Sequence, residues 1–150
     1  MSSFNEVSTV EINEVMERSL IAFQEYKRIS SDDKALFLET IATEIEALGD
    51  TLIEQASVET NLPAARLVGE RGRTTGQLRM FANMLREGSW VEASIDTAIP
   101  DKNPPKPDIR KLLIALGPVV VFGASNFPFA YSTAGGDTAS ALAAGCSVVV

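Results

Sequence analysis

From Gly123 to Pro128 the chain reads Gly-Ala-Ser-Asn-Phe-Pro, and Asn126 is the residue there that could act on a substrate. Its amide is a neutral N–H donor. Set beside an oxygen that gains negative charge in a transition state, such a donor stabilises the charge without adding a titrating group. Asparagine also caps helices and accepts left-handed turns, so a purely structural role stands beside the chemical one. A second set is basic: Arg66, Arg71, Arg73, Arg79 and Arg86 share one stretch in which Glu70 is the only acid. A guanidinium grips a carboxylate with two parallel hydrogen bonds. The stretch is therefore either a carboxylate-binding element or a solvated, interdomain face. The single cysteine, Cys146, follows Gly145 and opens an apolar run, where a thiol packs rather than reacts. The chain has no histidine, which excludes a Ser-His-Asp triad, a Cys-His pair and any His-based zinc site.

These residues sit in 150 that are 45% hydrophobic and 22% charged, a globular composition. The net charge of −7 is unevenly placed. Residues 1–60 hold 13 acids and 4 bases, and residues 61–150 hold 7 acids and 9 bases. Net acidity argues against nucleic acid as a partner. One cysteine allows no internal disulfide, which suits a reducing cytoplasm. The longest apolar run, Leu112 to Ala124, is broken by Gly117-Pro118, so no membrane span is expected. Met1 to Glu6 carries no base and no apolar stretch, so no leader is expected either.

The front half reads as helix. Ile12, Val15, Met16, Leu20 and Phe23 recur at helical steps behind a cap at Ser8 or Thr9. Ser30 or Ser31 caps a second helix, with Asp32 and Asp33 in its first turn and an apolar stripe of Leu36, Phe37, Ile41, Ile45 and Leu48. Asp50 is placed to cap a third, running to about Glu59. Pro63 suits the first position of a fourth, which ends at Gly88. Gly69, Gly72 and Gly76 within that helix suggest close approach by another element.

After Trp90 the period changes to two. Val91, Ala93 and Ile95 alternate with polar residues, Pro100 to Pro107 turns, and Ile109 to Leu116 returns, so a hairpin arm is expected. Val119 to Phe122 reads as a strand covered on both faces, Ala130 to Ala144 as a helix of small residues, and Ser147 to Val150 as another buried strand. Residues 117–150 thus form a βαβ unit with parallel strands, and the loop 123–128 lies at the carboxyl end of the first, where open α/β sheets bind ligands. Two such strands do not make a sheet, so the sequence is expected to be the N-terminal piece of a longer chain. The fold class is α/β: N-terminal helices (residues 1–89), a β-hairpin arm (90–116) and the start of a parallel sheet (117–150).

The stretch Gly117-Pro118-Val119-Val120-Val121-Phe122-Gly123-Ala124-Ser125-Asn126-Phe127-Pro128 resembles the first cofactor-domain strand and Asn-Phe-Pro loop of the NAD(P)-dependent aldehyde dehydrogenases. Ala139 to Val150 is similar to the helix and strand that follow in that family. Most members carry Pro-Trp before the asparagine, where this chain has Ala124-Ser125. That departure, with Gly135-Gly136-Asp137-Thr138, Arg73 to Arg79 and Glu87-Gly88-Ser89-Trp90, is similar to the branch that oxidises 2-oxoglutarate semialdehyde (2,5-dioxopentanoate).

The resemblance implies a truncated Rossmann-like aldehyde dehydrogenase fold and NAD or NADP as cofactor. Asn126 would be the oxyanion-hole donor, Gly123, Ala124 and Ser125 would lie against the nicotinamide, and Phe127 would line the aldehyde tunnel. Arg73, with Arg71 next to it, would take the distal carboxylate of a carboxylated aldehyde. The arm would serve homo-oligomer formation. The family's nucleophilic cysteine and general-base glutamate have no counterpart in these residues, so the 150 residues alone are expected to be inactive. Two other readings remain open: a fatty-aldehyde dehydrogenase preferring NADP, and a complete, non-catalytic α/β interaction module.

Overall fold

The computed structural model describes residues 6–150. Most of the segment read as lacking a leader, residues 1–5, lies outside them. Helix α1 spans Thr9–Tyr26 and starts on a reciprocal cap. The Glu11 N–H donates to Ser8 Oγ, and the Ser8 N–H donates back to the Glu11 carboxylate at 2.8 Å. Ser30, not Ser31, caps α2 (Ser31–Ala47), accepting from the Asp33 N–H at 3.1 Å. Helix α3 (Gly49–Thr60) follows with no side-chain cap, so Asp50 lies in its first turn instead of capping it. Pro63 sits just before α4 (Ala64–Glu87), as its cap residue and not its first helical one. Gly88 ends α4 at φ +83°, a conformation a side chain resists.

The core lies where α2, α4 and α5 (Gly136–Ala143) meet. Ala35, Leu38 and Ala42 of α2 pack against Leu78, Ala82 and Leu85 of α4 and against Ala139 and Ala143 of α5. Alanine at the crossings lets the backbones approach, and the leucines fill the space between. Truncating fully buried Leu38 to alanine would cost about 2–5 kcal/mol. The stripe expected on α2 is only partly the buried one. Leu36, Phe37 and Leu48 are exposed, because α2 is apolar on two sides and α4 covers the other. A second cluster, Ile53 and Ala56 of α3 with Leu67 of α4, packs on Leu62 and Phe129. The close approach expected at Gly69, Gly72 and Gly76 is absent among the described residues, since a Cβ at any of them would meet nothing within 4 Å.

The arm forms, shorter than the alternation suggests. A 3-10 turn takes Ser89–Val91, so strand β1 begins at Ser94 and covers Ser94–Asp96. It pairs antiparallel with β2 (Ile109–Lys111), Ser94 opposite Lys111, and an ion pair joins Lys106 to Asp96. Both strands are exposed throughout, so the dry face expected of Val91, Ala93 and Ile95 is not formed here. Beyond Lys111 the strand expected to reach Leu116 loses its partner, apart from the Leu113 N–H bond to the Val91 carbonyl. Strands β3 (Val119–Val120) and β4 (Val148–Val149) pair in parallel, Val119 opposite Val148, with α5 between them in sequence. The βαβ unit is therefore present. Its first strand is not covered on both faces: Phe122, just after it, is 87% exposed, because among the described residues the sheet has only two strands. Residues 128–135 form turns instead of the expected first part of α5. The turn requires glycine at 135, since a Cβ there would lie 2.5 Å from the Ala130 carbonyl oxygen.

Candidate active site

The loop between β3 and α5 leaves the carboxyl end of a parallel strand and carries Asn126 near its apex. Neither structural role open to Asn126 in the sequence is taken. Gly135 occupies the cap position of α5, and Asn126 is not among the residues with positive φ. Its side chain is exposed. The loop is closed beneath it by the Ala124 N–H, which donates to the Tyr131 carbonyl at 2.7 Å.

One stripe of α4 runs under this loop. Arg66, Glu70, Arg73 and Gln77 recur at i, i+4, i+7 and i+11, a rise of about 16 Å along one face. Each meets a later part of the loop. Arg66 donates to the Asn126 carbonyl at 2.7 Å and lies 5.3 Å from the centre of the Phe127 ring. Glu70 accepts the N–H groups of Phe129 and Ala130 at 2.8 and 3.0 Å. Arg73 donates to Tyr131 Oη at 2.7 Å and stacks 5.2 Å from its ring centre. Gln77 lies under Gly136, where any Cβ would sit 2.8 Å from its amide oxygen. Phe127 and Tyr131 pack edge to face at 5.3 Å, which completes a row of two rings, Phe127 and Tyr131, flanked by Arg66 at one end and Arg73 at the other.

The five arginines of α4 thus divide. Arg79 and Arg86 grip Glu46 and Glu39 of α2 in two-pronged ion pairs, all bonds being 2.6 to 2.7 Å. The Arg79 guanidinium holds the Glu46 carboxyl down to about 2, and Arg86 lowers Glu39 from its ordinary value. Arg71 donates to the Gly49 carbonyl at 2.7 Å and so ties α4 to the start of α3, away from the loop. Arg66 and Arg73 remain, exposed along the loop that carries Asn126 and Tyr131, with no carboxylate among their bonded partners in the described residues. The structure therefore gathers Arg73, Phe127 and Asn126 and leaves Arg71 out.

Gly123, Ala124 and Ser125 are small and exposed at the end of β3. A Cβ on Gly123 would meet the backbone of Tyr131 and Ser132 at an ordinary 3.7 Å. Cys146 is 4% exposed at the foot of β4, with its N–H bonded to the Ala141 carbonyl at 2.9 Å. Among the described residues no cluster of acids and cysteine could hold a metal, and no helix is long and apolar enough to cross a membrane.

Sequence reasoning missed Glu70 and Tyr131. The signal for Glu70 is its spacing from Arg66 and Arg73. The loop amides it serves lie some sixty residues on and leave no mark in the sequence.

A family model described as the aldehyde dehydrogenase family matches residues 1–150. The chain is 55% identical over 148 residues to alpha-ketoglutaric semialdehyde dehydrogenase 2 of Azospirillum brasilense, covering 98% of this chain and 28% of that protein. It is 52% identical over 147 residues to alpha-ketoglutaric semialdehyde dehydrogenase of Acinetobacter baylyi, covering 97% and 28%. The chain thus spans under a third of the length of the curated relatives it matches. Among solved structures, a betaine aldehyde dehydrogenase variant of Staphylococcus aureus in complex with NAD+ superposes with a TM-score of 0.75 at 18% identity, over 95% of this chain and 27% of that one.

Proposed function

The chain belongs to the aldehyde dehydrogenase family, and on that premise we propose that it serves an enzyme oxidising 2-oxoglutarate semialdehyde to the dicarboxylate with NAD or NADP. The observation that carries this reading is that one loop carries Asn126, whose carbonyl Arg66 holds, and Tyr131, on which Arg73 stacks, both arginines being exposed with no carboxylate partner among the described residues. An aldehyde whose far end is a carboxylate needs a neutral donor at one end and a guanidinium at the other. Both are within reach of one loop. High identity to two semialdehyde dehydrogenases supports the same substrate class.

In this reading the Asn126 amide donates to the aldehyde oxygen as a thiolate attacks the carbonyl carbon, and so steadies the developing oxyanion. Arg73 holds the distal carboxylate, and its stacking on Tyr131 limits the positions its guanidinium can take. Arg71 is spent on the Gly49 carbonyl, so the carboxylate grip rests on Arg73. Phe127 offers an apolar edge to the substrate's carbon chain. Gly123, Ala124 and Ser125 form the shelf for the nicotinamide ring. The dinucleotide, when bound, supplies the hydride acceptor. The 150 residues by themselves are proposed not to turn over aldehyde, because their one thiol, Cys146, is buried. The arm of β1 and β2, too small to stand alone as a sheet, is proposed to pair with a second copy.

The experiment is Arg73→Ala in a full-length enzyme that carries these residues. The KM for 2-oxoglutarate semialdehyde should rise by about tenfold or more, a lost charge-assisted pair being worth roughly 1.5–3 kcal/mol. The KM for a neutral aldehyde of similar length should hardly move. Equal effects on both would remove Arg73 from the carboxylate site.

A further inference from the structure

We propose that Glu70 is a positioning residue for this oxidation, fixing the loop that carries Asn126; the proposal rests on Asn126 being the oxyanion donor. Glu70 is 6% exposed, and carboxylates are seldom buried without partners that need them. Its Oε1 accepts two consecutive backbone N–H groups, of Phe129 and Ala130. Two donors converging on one oxygen fix two successive peptide units relative to each other, which a single bond would not. Ala130 is itself buried, so without Glu70 its N–H would be an unpaired donor in the interior.

Position matters as much as bonding. The loop has no ladder of its own between β3 and α5. Its rigidity must come from outside, and α4 is the rigid body available, locked to α2 through Leu78, Ala82 and Leu38. Glu70 lies one turn after Arg66, which holds the Asn126 carbonyl, and one turn before Arg73. The bond from Ala124 to the Tyr131 carbonyl closes the loop just beyond the two peptides that Glu70 grips. Asn126 is therefore the apex of a loop whose base Glu70 anchors. The second oxygen, Oε2, is buried and bonds to nothing among the described residues, so the work of the side chain is done by the one oxygen at the amides.

The test uses Glu70→Ala, Glu70→Asp and Glu70→Gln. Glutamine keeps an acceptor oxygen at the same reach, aspartate withdraws it by one methylene, and alanine removes it. In a full-length enzyme carrying these residues, the alanine and aspartate variants should lose about ten- to a hundredfold in kcat, while KM for the semialdehyde and the dinucleotide stays within about threefold. The glutamine variant should stay within about threefold of the parent in kcat. In an Asn126→Ala background Glu70→Ala should add less than about threefold, since no donor remains to position.

On the 150-residue chain, amide exchange at Phe129 and Ala130 should quicken in the alanine and aspartate variants and not in the glutamine one, with Leu78 and Ala82 unchanged. If the alanine variant does not fold, the aspartate and glutamine pair carries the comparison. The proposal is overturned if the kcat losses are absent, if they multiply with loss of Asn126, or if exchange at Phe129 and Ala130 does not respond. A parent enzyme that fails to oxidise the semialdehyde would overturn the reading of function, and the exchange result would still decide whether Glu70 holds the loop.

Discussion

Asn126 has a carbonyl held by Arg66 and an exposed amide, which is the arrangement a pre-set donor needs: backbone fixed, donor free. In a full-length enzyme, Asn126→Ala should lower kcat by about 10²–10³ and leave KM within a few-fold, because the bond it makes strengthens only as the oxyanion forms. Steady-state kinetics of the purified variant checks this, and a matching rise in KM with kcat unchanged would assign Asn126 to ground-state binding. At this scale the sequence was informative where the residue type carries the chemistry. Asn126 stood out because a neutral donor at a strand end suits a developing oxyanion, and the cap and turn roles that stood beside that reading are excluded only by the fold. The arginines did not sort themselves. Arg66, Arg71, Arg73, Arg79 and Arg86 are alike in sequence, and what separates them is which carboxylate, carbonyl or ring each one meets across the fold. Glu70 was masked for the same reason, as a single acid in a basic helix.

At the scale of elements, Gly72 within α4 and Gly135 at the cap of α5 sit in opposite environments. Gly72 faces open space in the middle of a helix, so Gly72→Ala should raise the stability of the 150-residue chain by about 0.5–1 kcal/mol. Gly135→Ala forces a Cβ against the Ala130 carbonyl and should lower it by about 1–3 kcal/mol. Denaturant unfolding of the two variants gives the signs directly.

The α2–α4 ion pairs make a pH prediction. Glu46 is depressed to about 2 from 4.5 by its Arg79 partner, so the stability it adds is present above 4.5 and is lost as pH falls towards 2. Arg79→Ala should flatten the acid limb of a stability–pH curve. Burial raises Tyr26 to about 12 from 10.0, so the alkaline limb should fall between those values, and Tyr26→Phe should flatten that side alone. The caps of α1 and α2 and the end of α4 were readable because Ser8, Ser30 and Gly88 act on their own neighbours, whereas the cap expected at Asp50 does not form. Strand ends were not. β1 and β2 stop where pairing stops, and α5 starts where Gly135 meets Ala130, both being facts of distant contact.

At the scale of the whole molecule, apolar and charged surface are segregated. Leu116, Phe122 and Ile114 are exposed beside the arm and the two-stranded sheet, while the acids crowd the helical front. Composition alone reads as one modest globular domain; the buried-strand pattern at 119–122 and 147–150 and the family resemblance read as part of a larger sheet. The chain spans 28% of each curated relative it matches.

The most direct measurement is kcat/KM of a full-length enzyme carrying these residues, for 2-oxoglutarate semialdehyde and for pentanal, each with NAD+ and with NADP+. The account predicts a preference for the semialdehyde of at least about tenfold with whichever dinucleotide is used, set by the carboxylate at Arg73. Equal values for the two aldehydes, or a preference for pentanal, would contradict it.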